Sequence, residues 1–234
     1  MATRAKSEVF DALDAGTLFD AILVDDVFGG SEFLGELLER VPDRPCVLVG
    51  DDTDPDALQK TIQTAVREGW SGYPIPADEH ARLDCLDEYD FEQPTLLAHL
   101  EGLTTTAREC FDADVGFVGV VDEDEEQFVT SQGVDWETLD RSDSICSHGL
   151  LDGEPLVISD LPEDSRVSYE PIHSEEFEPD FYAGIPLKAA SGQHVGMLCV
   201  MDEETREFDE EDHSALQWLA EQAMVHVERY GRAS

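Results

Sequence analysis

Residues 181–188 (FYAGIPLK) and 194–201 (HVGMLCVM) are two apolar runs joined by only five residues, AASGQ. A connection this short suits a β-hairpin. The neighbouring pattern extends it into a sheet, with further candidate strands at 115–121, 127–131 and 155–158, separated by acidic or Gly-containing turns. Before these strands, residues 93–111 place Leu96, Leu100, Leu103, Ala107 and Cys110 at spacings of four and three, which is one helical face. After them, residues 212–230 read as a second helix, opened by Asp209, Glu210, Glu211 and Asp212. Carboxylates there suit the capping and dipole requirements of a helix N-terminus. Helix, antiparallel strands, helix is an α+β arrangement.

The first 88 residues have a different rhythm. Unbroken apolar runs at 21–24 (AILV) and 46–49 (CVLV), with a weaker strand at 72–75, alternate with helical segments at 7–17, 31–41, 54–66 and 78–87. Continuous apolar strands between helices predict a small parallel sheet buried on both faces. The reading is therefore two domains, 1–88 and 92–230.

Composition narrows the function. Fifty-five acidic against 14 basic residues leave a formal net charge of −41. Such a surface repels phosphate backbones and anionic lipid, which argues against a nucleic-acid or membrane partner. Acidic excess with only Lys6, Lys60 and Lys188 as lysines fits a halophile's protein, whose self-repulsion is screened in molar salt. No apolar run is long enough for a membrane span or signal peptide, so a cytoplasmic protein is expected. Five widely spaced cysteines without a C-x-x-C pair argue against a structural metal site and for buried free thiols.

In order and spacing, the segment VGFVGVVDEDEEQFVTSQG, SICSHGLLDGEPLVISDLPEDSRV, FYAGIPLKAASGQHVGMLCVMDEETREF and EEDHSALQWLAEQA resembles a GAF domain, a sensory and regulatory module. The resemblance implies an antiparallel sheet with the terminal helices on one face. It also implies a small-molecule pocket on the other face, beneath the middle loops. Candidate ligand contacts are Cys146, His148, Asp160, Arg166, Phe181 and Tyr182. Each has a plainer alternative: a packing thiol, a capping imidazole, an Asp160–Arg166 pair across a loop, and one of two adjacent aromatics in the core. A reductase branch of the family needs a cysteine just before FYAGIPL, and the loop here, SEEFEPD, has none. Pigment-binding relatives place His directly after Cys, whereas Ser147 intervenes here.

Residues 7–88 resemble the C-terminal part of a response-regulator receiver domain, a partial flavodoxin-like α/β fold. FDAILVDD would present Asp25 at the phosphoacceptor position, but Gly50 stands where a hydroxyl is required. The acidic first strand and the lysine are also missing, so Asp25 is expected to be inactive. Together these features point to a non-enzymatic signalling protein, without cofactor or metal, that senses a small molecule and acts through a protein partner. A structural or dimerisation module with a filled pocket is the alternative, and a Cys146-based redox enzyme a third. Trp218 and Val225 form an extra apolar pair on helix 212–230, so a homodimer is expected.

Overall fold

A computed structural model of the protein describes residues 21–25, 33–34, 37–38, 40–50, 53–70, 72–151, 153–164 and 177–233. By internal contacts the chain divides into residues 1–80 and 81–234. The expected helix at 7–17 lies outside the described residues.

In the first unit, β1 (Ile22–Asp25), β2 (Cys46–Val49) and β3 (Pro74–Pro76) pair in parallel, in the order β1-β2-β3. Cys46, Val47, Leu48 and Ile75 are buried, as a sheet covered on both faces requires. Burial pushes the Cys46 thiol up to about 12. Phe33, Leu34, Leu37 and Leu38 are helical and buried at the three- and four-residue spacing of an amphipathic helix. Helix α1 (Pro55–Glu68) starts where Asp54 accepts hydrogen bonds from the amides of Asp56 and Ala57, at 2.8 and 3.4 Å. It stops at Gly69, whose φ of 81° turns the chain so that the Trp70 N–H, like its own, returns to the Ala65 carbonyl, at 2.9 Å.

The second unit begins inside helix α2 (Glu79–Leu86), earlier than the expected boundary at 88–92. The reason is packing: Cys85, Tyr89 and Phe91 belong to the core of the second unit. Helix α3 (Pro94–Cys110) leads into a six-stranded antiparallel sheet. Its strands are β4 (Val115–Val121), β5 (Glu125–Gln132), β6 (Thr138–Asp140), β7 (Leu156–Ile158), β8 (Phe181–Lys188) and β9 (His194–Asp202). Their order is β6-β5-β4-β9-β8-β7. The hairpin at 181–201 forms as expected, with Phe181 opposite Asp202 and Leu187 opposite Gly196. Between β6 and β7 lies a one-turn helix, α4 (Cys146–Gly149). Helix α5 (Glu210–Tyr230) closes the unit, its N-terminus held by a reciprocal capping box between Asp209 and Asp212.

Two apolar layers sandwich the sheet. On one face, Leu96, Leu100 and Ala107 of α3 and Leu216, Leu219, Ala223 and Val227 of α5 pack on Val118, Ile185 and Leu198. The expected stripe on α3 stops short of its end: Cys110 is exposed, because α3 ends there and the chain turns into β4. On the other face, Ile145, Cys146 and Leu150, in and beside α4, pack with Phe117, Tyr182, Met197 and Cys199. With both faces covered, β4 is buried along its whole length.

Near its beginning and its end, this unit is fastened to itself. Tyr89 and Arg232 form an antiparallel bridge. Asp90 N–H donates to the Gly231 carbonyl at 2.6 Å, and Ala233 N–H to that of Glu88 at 2.9 Å. The Arg232 guanidinium lies over the Tyr89 ring at 4.7 Å and pairs with Glu88 and Glu228. Among the described residues, no helix is long and apolar enough to cross a membrane.

Candidate functional site

Side chains alternate along a strand, so the face opposite the helices receives Val115, Phe117 and Val121 of β4, Glu126 and Phe128 of β5, Tyr182 of β8, and Met197, Cys199 and Met201 of β9. An aromatic wall borders it. Phe117 and Phe128 meet at 5.2 Å, Phe128 and Trp136 at 5.1 Å, and Trp136 and Phe177 at 5.9 Å between ring centroids.

Within this apolar layer sits a string of buried polar groups. Ser147 N–H donates to Ser144 Oγ at 3.1 Å, and Ser144 Oγ–H donates to Glu126 Oε2 at 2.7 Å. The other carboxyl oxygen, Oε1, is buried without a hydrogen-bond partner among the described residues. Gly119 makes room for it: a Cβ there would overlap Oε1 and stand 3.1 Å from Cδ. Burial pushes the Glu126 carboxyl above the usual carboxylate range, against the opposing pull of the Cys146 thiol and the Ser144 hydroxyl. Beyond the carboxyl, Cys146 Sγ lies 3.7 Å from Cys199 Sγ, and the Tyr182 hydroxyl touches both, at 3.4 and 3.2 Å. Burial, then the neighbouring sulfur, raises Cys146; burial, then the two sulfurs, raises Tyr182.

Of the residues singled out from the sequence, Cys146, His148 and Tyr182 are buried at this face, the first two on α4. Phe181 is not part of it. As the strand neighbour of Tyr182 it points to the opposite face, where its ring stands 5.9 Å from Phe208 and beneath Arg206. Asp160 is exposed, just ahead of the short helical turn Leu161–Glu163. Arg166 lies outside the described residues. Asp25 is the last residue of β1. No group of three or more His, Cys, Asp or Glu side chains suited to a metal ion occurs among the described residues.

Glu126, Ser144 and Cys199 were not expected in the site. A signal for Glu126 exists: it is two residues before Phe128, so a strand there turns both to the same side. It is hidden in the run DEDEE, where every acid reads as solvated surface.

Known proteins resemble part of this chain. A cyclic di-GMP phosphodiesterase of Pseudomonas aeruginosa is 29% identical over 155 residues, covering 66% of this chain but only 26% of that enzyme. The GAF domain of a Coxiella burnetii phosphoenolpyruvate-protein phosphotransferase superposes with a TM-score of 0.52 at 19% identity, covering 64% of this chain and 93% of that one. Its Acinetobacter counterpart gives 0.51 at 17% identity, with 64% and 90% covered. These two likenesses establish the fold. Residues 95–227, more than half of the chain, match the GAF domain model, and the chain therefore belongs to the GAF domain family.

Proposed function

We propose that the protein is a non-enzymatic sensor: its GAF unit holds a small molecule on the sheet face opposite the helices and passes the bound state to a protein partner. The observation that carries this reading is the Glu126 carboxyl. Oε1 is buried with no hydrogen-bond partner among the described residues, in a slot that only glycine at 119 leaves open. A buried acceptor left unmatched costs about 1–3 kcal/mol. A layer selected only for packing has no use for that cost, whereas a ligand N–H or ammonium group facing Oε1 removes it. Binding would then act by population shift, because α4 carries Ser147, whose amide fixes Ser144 on the carboxyl. The likeness to a phosphodiesterase covers about a quarter of that enzyme, and its activity is not transferred with it. The first unit fits an inactive receiver-like docking element, with Asp25 unable to accept a phosphoryl group.

Native mass spectrometry of the chain purified in molar KCl tests the reading. A small molecule is expected to accompany the wild type and to be lost from Glu126→Ala. A second reading, a structural GAF module with a filled face, is favoured by the packing of Phe117, Leu150, Leu156 and Met197 against that face. A wild type that carries nothing, and gains no thermal stability from a panel of small amines and nucleobases, would decide for that second reading.

A further inference from the structure

Cys146 and Cys199 are 53 residues apart in sequence, on the one-turn helix α4 and on β9 near the middle of the sheet. Their sulfurs are nevertheless 3.7 Å apart. The Tyr182 hydroxyl is a contact common to both sulfurs. Ordinary packing of two small side chains does not require this convergence of two thiols and a phenol inside an apolar layer. A disulfide needs sulfurs about 2.05 Å apart. The gap must close by roughly 1.7 Å, which side-chain rotation and a small displacement of a single helical turn can supply. Strand β9, paired on both sides by β4 and β8, need not move.

We infer that Cys146 and Cys199 form an oxidisable dithiol that closes to a disulfide between α4 and β9 when a small uncharged hydroperoxide reaches the site. The identity of the oxidant class follows from the surroundings. Both thiols are at most 1% exposed, behind apolar side chains, and the chain carries a net charge of −41. Anionic oxidants are repelled and bulky ones excluded, while hydrogen peroxide enters through local opening of α4. When α4 opens, Cys146 loses its proton to water; its thiolate attacks a peroxide oxygen, the O–O bond breaks, and the departing hydroxide takes up that proton as water, leaving Cys146 as a sulfenic acid. The second sulfur then displaces hydroxide from that sulfenic sulfur, and the hydroxide leaves as water with the second thiol proton. Two thiols lose two electrons and two protons, and one peroxide becomes two waters. The cross-link ties α4 to the sheet and removes the thiol protons that either sulfur could donate to the Tyr182 hydroxyl. It thereby reaches the Ser147–Ser144–Glu126 string through α4 itself. As a regulatory device this rests on the sensor reading; its chemistry does not.

The test uses the full chain in molar KCl, treated with hydrogen peroxide, alkylated under denaturing conditions and digested with trypsin without reductant. The expected product joins peptide 142–166, which contains Cys146, to peptide 189–206, which contains Cys199. Alkylation of Cys146 and of Cys199 should be lost together and return with dithiothreitol. Exposed Cys110 serves as the internal control. If Cys110 is oxidised while Cys146 and Cys199 both remain fully alkylatable, the dithiol proposal is overturned. Cys199→Ala should abolish the cross-link and leave Cys146 as a sulfenic acid trapped by dimedone; an untouched Cys146 would also overturn it. Native mass spectrometry of the same preparation separates the two ideas. Cross-linking without any bound molecule would support the dithiol and count against the small-molecule reading. A bound molecule without cross-linking would do the reverse.

Discussion

The Gly119→Ala substitution asks whether the buried carboxyl is seated as described. Its backbone conformation is open to alanine, so any penalty comes from the new methyl group. That methyl would overlap Glu126 Oε1 and stand 3.1 Å from Cδ and 3.4 Å from Cγ. The carboxyl has to move by about 1 Å to regain normal separation. Glu126 is only 2% exposed, so this movement compresses the surrounding layer. Overpacking of this kind costs about 1–3 kcal/mol. Pulling Oε2 away from the Ser144 hydroxyl adds about 1 kcal/mol. The sum, roughly 2–4 kcal/mol, should appear as a lower urea midpoint with an unchanged slope, measured in molar KCl. The decisive measurement is the same substitution in a Glu126→Ala background. With the carboxyl gone the methyl group has space, and its cost should fall below about 1 kcal/mol. An equal penalty in both backgrounds would refute the seating of Glu126 against Gly119. Gly196→Ala is the contrasting case, because its Cβ meets the Gly119 carbonyl and Val120, backbone and core that cannot swing away.

Other outcomes follow from other parts of the molecule. Burial, the stacked His99 ring 4.1 Å away and Arg229 hold His226 below the usual imidazole range. The unfolded chain therefore takes up the proton first, and stability should fall as pH drops through about 6.5; denaturant midpoints at pH 8 and 5.5 should differ for the wild type, and the difference should shrink in His226→Gln. With a net charge of −41, the fold should lose stability when salt is withdrawn, and a melting temperature equal at ~0.1 M and ~3 M KCl would contradict this. Trp218 and Val225 are 57% and 55% exposed on α5, so the expected homodimer uses this helix, and light scattering should show Trp218→Glu to be a folded monomer; a monomeric wild type at tens of micromolar would rule the dimer out.

The second unit was legible because its patterns are long and mutually consistent. The strand at Val115–Val121, the 181–201 hairpin and both long helices each bury a continuous stripe, and nothing local competes with that signal. Trp218 and Val225 stand outside the stripe of α5, as their spacing implied. Of the sheet face opposite the helices, only Cys146, His148 and Tyr182 were singled out from the sequence. Phe181 and Tyr182 are adjacent, and periodicity states that they oppose each other without saying which faces the ligand side. Glu126 was obscured by composition: where one residue in four is acidic, a buried carboxyl is chemically indistinguishable in sequence from its solvated neighbours. The thiol pair was beyond sequence reasoning for another reason. Nothing local relates position 146 to 199; only the sheet order, which sets β9 between β4 and β8 under α4, brings them together.

The fastening of residues 88–90 to 231–233 has an engineering consequence. A unit whose entry and exit segments are bridged to each other occupies a single gap in a chain, whatever its internal length. Such a unit can be spliced into a surface loop of a host protein without prising the host's loop ends apart. Force transmitted along the host backbone would then load the Tyr89–Arg232 bridge before it reached any strand of the sheet. The GAF unit would behave as a bead hung on a closed clasp, with the clasp as the first element to yield.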